Sequence, residues 1–269
     1  MTNPPNGKRR QHRQRRKSAF LRDNPICCFC GDSASIEPDH CPARICFRGK
    51  EGPEDWVFPA CSACNRSISG TEQVIAFYIR TLDHTDENYR EADLARLLSG
   101  LKNNHPDLMP RVHLPAIEKR KMLRHVGHQI EPKTFLDDVP IMAMPKGIDR
   151  HVQFFARKLT AAVFYKLHGF PVTPEHRWMC RWFPSYDNAL DDLLEEFKEM
   201  WNHLIVGSRS NIDFGDQFSV IAATSKNDDV ISFIAQFGTS LCFWCGVGKP
   251  PHEEIKNTWE SYRPIKFGM

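Results

Sequence analysis

Cys27-Cys-Phe-Cys30, then Pro38-Asp39-His40, then Cys61-Ser-Ala-Cys64 with Asn65 directly behind it: two Cys-x-x-Cys pairs enclose an Asp-His dipeptide. A two-residue gap lets both sulfurs of a pair reach one ion. Two such pairs therefore suit a single tetrahedral structural zinc with Cys27, Cys30, Cys61 and Cys64 as ligands. Cys28 competes with Cys27, but only Cys27 leaves the two-residue gap to Cys30. A metal knuckle needs neither the Asp, the His nor the Asn. Those three are what a hydrolytic site requires: an oxygen ligand for a hard cation, an imidazole base near neutral pH, and a second oxygen ligand. The separation between the pairs is longer than a simple zinc ribbon, and the extra length leaves room for a hairpin carrying such a site.

The constellation from Cys27 to about Glu72 resembles the HNH (ββα-metal) endonucleases, and the phage recombination endonuclease VII is similar in residue type and order. Asp39-His-Cys-Pro-Ala-Arg-Ile-Cys-Phe47 and Phe58-Pro-Ala-Cys-Ser-Ala-Cys-Asn-Arg66 also look like a bacterial branch of that family. The resemblance covers roughly the first third of the chain. It implies a zinc-pinned hairpin presenting Asp39 and His40, and a helix after the second knuckle presenting Asn65. Asp39 and Asn65 then correspond to the ligands of a catalytic Mg2+ or Mn2+, and His40 to the general base of phosphodiester hydrolysis. The implied substrate is nucleic acid, DNA before RNA. One departure stands out: Glu54-Asp55-Trp56 lies where the family usually places a middle Asn that ties the hairpin loop together. Bacterial proteins of this sort often accompany an ATPase in anti-phage systems such as the Septu type or retron-associated effectors, so the resemblance implies a defence-system partner. Two rival classes remain open. The first is a non-catalytic, zinc-pinned nucleic-acid-binding module, which the Glu54 departure permits. The second is a thiol oxidoreductase built on Cys242-Phe-Trp-Cys245, whose activity would survive chelation.

At 269 residues the chain can bury a real core. Its charge is uneven. Lys8, Arg9, Arg10, Arg13, Arg15, Arg16 and Lys17 fall in the first 20 residues with no acid among them; removing those seven from 36 leaves 29 basic against 33 acidic residues elsewhere. The composition predicts an arm that is disordered when free, and its place before the motif makes it a candidate polyanion-binding segment. No apolar run approaches a membrane span and no signal segment is evident, so a cytoplasmic protein without membrane contact is expected.

Periodicity predicts the rest. A hairpin is expected over 36–46 and a helix over Ser69 to Leu82, with further helices at about 88–101, 114–129, 149–168 and 186–205. The 149–168 helix carries Val152, Phe155, Ala156, Leu159, Val163, Phe164 and Leu167 on one face and should end at Gly169. Strands are expected over 218–223, 230–237 and 240–245, the first two joined by a turn at 225–228. His176-Arg-Trp-Met-Cys-Arg-Trp182 fits either a nucleic-acid surface or a packed segment. The expected class is α+β: a disordered basic arm (1–20), a zinc-pinned ββα-metal nuclease module (21–101), and a helix-rich α+β region (113–269), with a boundary near 102–112.

Overall fold

From Asn6 onward the basic arm is helical. In the computed structural model, which describes residues 6–83, 91–125, 135–136, 141–184, 204–206, 212–225, 230–249 and 259–267, α1 runs Asn6–Asp23. This corrects the expectation of disorder. Arg, Lys, Gln, Ala and Leu are good helix formers, and no Pro interrupts the helix. Its last turn is also anchored. Ala19, Phe20 and Leu21 are half-buried, the Asn24 side chain donates to the Phe20 carbonyl at 2.9 Å, and Tyr165 Oη donates to Asn24 Oδ1 at 2.9 Å.

Beyond it the chain turns at the first Cys pair, where Gly31 takes φ +65°, a conformation L side chains rarely adopt, and closes the loop with a 2.9 Å bond from its N–H to the Cys27 carbonyl. Strand β1 (Glu37–His40) pairs antiparallel with β2 (Val57–Ala60), setting Asp39 opposite Phe58 and His40 opposite Val57. The hairpin expected over 36–46 is thus wider: its second strand lies past two 3-10 turns at Arg44–Cys46 and Arg48–Lys50. Helix α2 (Ser62–Leu82) begins a full two turns before Ser69, because Cys61 caps it, its Sγ accepting from the Cys64 N–H at 3.4 Å. A β-β-α order follows.

Helix α2 packs against α3 (Glu91–Asn104) and α5 (Ile148–His168); α4 (Ala116–His125) lies between them in sequence. As its spacing predicts, α5 ends at Gly169, whose φ of +76° terminates the helix. An antiparallel sheet follows, made of β3 (Arg177–Pro184), β4 (Leu204–Val206), β5 (Ile212–Phe214), β6 (Phe218–Ser225), β7 (Val230–Phe237), β8 (Leu241–Gly248) and β9 (Glu260–Ser261). Its order is β4-β6-β7-β8-β3-β9, with β5 also on β6. The expected 186–205 helix lies mostly outside the described residues, and its last two positions fall at the start of β4. The expected 225–228 turn also lies largely outside them.

One apolar core joins the two regions across the 102–112 boundary. Phe155 of α5 meets Phe237 and Phe243 at 5.9 and 5.7 Å between ring centroids, and Phe218 packs tilted against Phe237 at 4.7 Å. From the hairpin loop, Phe47 and Trp56 reach the same Phe218 at 5.9 and 5.3 Å. Tyr78 of α2 donates to the Leu108 carbonyl at 2.8 Å, inside the segment where a boundary is expected. Phe237 is fully buried at this junction. Phe237→Ala should cost about 3–5 kcal/mol, read as a fall in the denaturant midpoint that moves both regions together. Two separate transitions would show that the core is not shared.

Candidate functional site

The four knuckle cysteines converge. Cys27 and Cys30 come from the Gly31 turn, Cys61 and Cys64 from the start of α2; all four are buried and their sulfurs lie within 4.8 Å of one another. Cys30 and Cys61 Sγ are 4.0 Å apart. Zinc–sulfur bonds of about 2.3 Å in a tetrahedron place sulfurs about 3.8 Å apart, so the cluster fits a structural metal such as zinc. Thiols packed this closely compete for protons: sharing with Cys30 pushes Cys27 up to about 11, while hydrogen bonds from Cys27 and Cys64 hold Cys30 far down. Cys28 is buried too but lies outside the cluster, as the two-residue gap predicts.

Asp39 and His40 are adjacent on β1, so their side chains leave opposite faces of the strand. His40 is half-buried. Burial and then the Arg44 charge lower its pKa, against Asp39 and the Trp56 carbonyl, leaving a neutral imidazole able to accept a proton. Asn65 is not the cap of α2. It sits in the first turn, half-buried, one residue past Cys64. Glu54 and Asp55, which lie where the resemblance implies a middle Asn, are exposed. The loop is fixed instead by Trp56, wedged against Phe58 and Phe218, and by Lys166 Nζ donating to the Asp55 carbonyl at 3.0 Å. Of the arm, Arg15, Arg16 and Lys17 are exposed on α1; the side chains of Lys8, Arg9, Arg10 and Arg13 lie outside the described residues.

Two residues that sequence reasoning missed complete the surroundings of Asp39. Lys158 of α5 places its ammonium 2.6 Å from Asp39 Oδ2 and 2.5 Å from Glu72 Oε1 of α2, and 5.1 Å from the centre of the Phe29 ring. Its side chain is only 1% exposed. Burial opposes the charge, but Glu72 and Asp39 together outweigh it and hold the lysine pKa above its ordinary value. Burial pushes Glu72 up, with Asp39 adding to the effect. Removing one partner of such a buried cluster typically costs about 3–5 kcal/mol. A sequence signal existed: the residues three and four positions from Lys158 on its helix, Phe154, Phe155, Ala161 and Ala162, are all apolar, so the lysine had to be buried and therefore paired.

Cys242 and Cys245 lie three apart on β8, on opposite faces of the sheet. Both are buried, and burial pushes the Cys242 thiol up to about 12. Side chains pointing apart cannot close a disulfide, and a raised thiol is a poor nucleophile, so the oxidoreductase reading lacks its geometry. Among the described residues no helix is long and apolar enough to cross a membrane. Compared with known proteins, the chain matches no family model, no curated protein and no solved structure.

Proposed function

We propose that this chain is a metal-dependent endonuclease of the HNH type that hydrolyses phosphodiester bonds, in DNA before RNA. The observation that carries the reading is the Cys27, Cys30, Cys61 and Cys64 cluster at the base of a two-stranded hairpin, with Asp39 and His40 on its first strand and Asn65 in the helix that follows. The cluster takes a zinc that is saturated by thiolates and stays structural. Asp39 and Asn65 offer hard oxygen donors, the set that Mg2+ or Mn2+ prefers. Such an ion, when bound, supplies positive charge to the scissile phosphate and the departing 3′ oxygen. His40 takes the proton from a water, and the resulting nucleophile attacks phosphorus in line, leaving 5′-phosphate and 3′-hydroxyl ends.

Nicking of supercoiled plasmid by the purified chain, dependent on Mg2+ and stopped by chelation, tests the reading. Binding without cutting favours a second one, the non-catalytic zinc-pinned module, which draws on Lys158 already neutralising Asp39. By the same motif resemblance, the chain acts as an anti-phage effector beside an ATPase, and co-purification of an ATPase with the native protein tests that partnership.

Helix α1 supplies the sequence-independent part of binding. Its exposed cations release counterions from phosphates, so deleting residues 2–17 should weaken duplex binding and flatten the slope of log K against log salt. Asn24, which anchors the helix end, is retained, and cutting at saturating substrate should persist. Equal salt slopes for full-length and truncated protein would reduce the arm to a solubilising tail.

A further inference from the structure

Lys158 lies on α5, beyond the segment in which the motif resides, yet its ammonium is shared between a carboxylate of the hairpin and one of α2. Lysine is almost never buried this completely unless it is paired, so the two carboxylates and the ammonium fix one another's positions. The contact divides the two oxygens of Asp39. Oδ2 is sealed from solvent and meets the ammonium as an ion pair at 2.6 Å with no aligned hydrogen bond, the ammonium donating instead to Glu72, while the side chain as a whole keeps 12% of its surface exposed. Oδ1 is then the oxygen that a cation arriving from solvent can meet.

The geometry points to Lys158 as a positioning residue for the Asp39 carboxylate: it holds the inner oxygen, turns the outer one toward an incoming divalent cation, and makes α5 part of the catalytic module. This rests on the nuclease reading. Charge supports it. Counted as formal charges, Asp39, Glu72 and Lys158 sum to one negative; a divalent cation and one substrate phosphodiester bring the total to zero, and Asn65 adds none. Without Lys158, the ammonium that offsets the two carboxylates would be gone, so a cation would be held more tightly before substrate arrives and Asp39 would be free to turn. Lys158 thus exchanges affinity for the free ion for a fixed ligand.

The test uses the full chain and two readouts: Mn2+ binding without nucleic acid, followed by the paramagnetic resonance signal of free Mn2+, and kcat at saturating Mg2+. Asp39→Asn assigns the ion to this site. Lys158→Met should bind Mn2+ about 10-fold more tightly, because a positive charge close to the ligand oxygen is gone. Its kcat should fall about 100-fold, the scale of a misplaced catalytic group. Lys158→Met can also unfold the pocket, so Lys158→Met/Glu72→Gln is the decisive variant. It keeps the single negative charge of the wild type and removes the anchor. Its Mn2+ affinity should lie close to wild type and its melting temperature above that of Lys158→Met, because one buried carboxylate is neutral, while kcat stays about 100-fold down. A folded double variant with wild-type kcat overturns the proposal, as does a folded Lys158→Met with unchanged Mn2+ affinity. A wild-type chain that binds Mn2+ through Asp39 and cuts nothing overturns the nuclease reading instead, and the affinity change in Lys158→Met would still support the hold on Asp39.

Discussion

Cys61→Ser protein is expected to purify without its zinc, to melt far below the wild type and to lose solubility. Cys61 has two roles, ligand and cap of α2, and the substitution separates them. Serine is itself a good N-cap, so the helix keeps its hydrogen-bonded start and the loss reports the metal. The metal matters because β1 and β2 are only four residues long each and the turn before them is held by a few backbone bonds. Structural zinc contributes on the order of 10 kcal/mol or more in small zinc-dependent folds, as large as the total stability of most domains. The effect should also spread. Cys28 donates its N–H to the Pro59 carbonyl, and Ser67, in the α2 turn after Cys64, donates to the Ile265 carbonyl, so a slack knuckle loosens contacts from both ends of the chain. Zinc content by elemental analysis and a melting curve decide it. A zinc-free protein with the wild-type melting temperature would show that the four cysteines are merely a buried thiol cluster.

That cluster was legible because ligand spacing is local: a two-residue gap is fixed by the reach of two side chains on one turn. Helix α5 was legible for a similar reason, since its apolar period and Gly169 are both written within one element. Strand β7 falls on the expected 230–237 and ends at a turn over 238–240. What escaped was long-range. Nothing near β1 marks Val57–Ala60 as its partner, because the pairing is decided by how the intervening loop packs Phe47 and Trp56 onto β6. Strand β3 was hidden by its mixed composition, although Trp178, Cys180 and Trp182 alternate with Arg177, Met179 and Arg181, a period-two pattern. The arm misled through its charge: composition argued against burial, which is true of Arg15 and Arg16, but helix formation needs only propensity and an anchored end. Of the candidate site, Asp39, His40 and Asn65 could be read as residue types. The Lys158 and Glu72 cluster could not be placed beside Asp39, since helix packing brings α2 and α5 to the hairpin.

His40→Ala should lower cleavage by about 100- to 10,000-fold, the usual contribution of a positioned general base, with zinc content, melting temperature and duplex binding near wild type. The reason is structural. His40 faces Val57 across the hairpin through its backbone, and that pairing does not depend on the imidazole. Its side chain is half-buried and takes no part in the Lys158 cluster or in the zinc site. Asp39→Ala should also stop cutting, but for a different reason and at a different cost. It removes a ligand and one of the two carboxylates that hold the buried Lys158 ammonium, so this variant should melt lower and show a shifted metal requirement. The pair of variants therefore separates a group that acts in the reaction from one that also supports the fold. Initial nicking rates against Mg2+ concentration, taken beside melting curves, make the comparison. Wild-type rates in both would place the chemistry elsewhere and leave the hairpin as a scaffold, whereas a His40→Ala protein that loses zinc would mean the imidazole is structural after all.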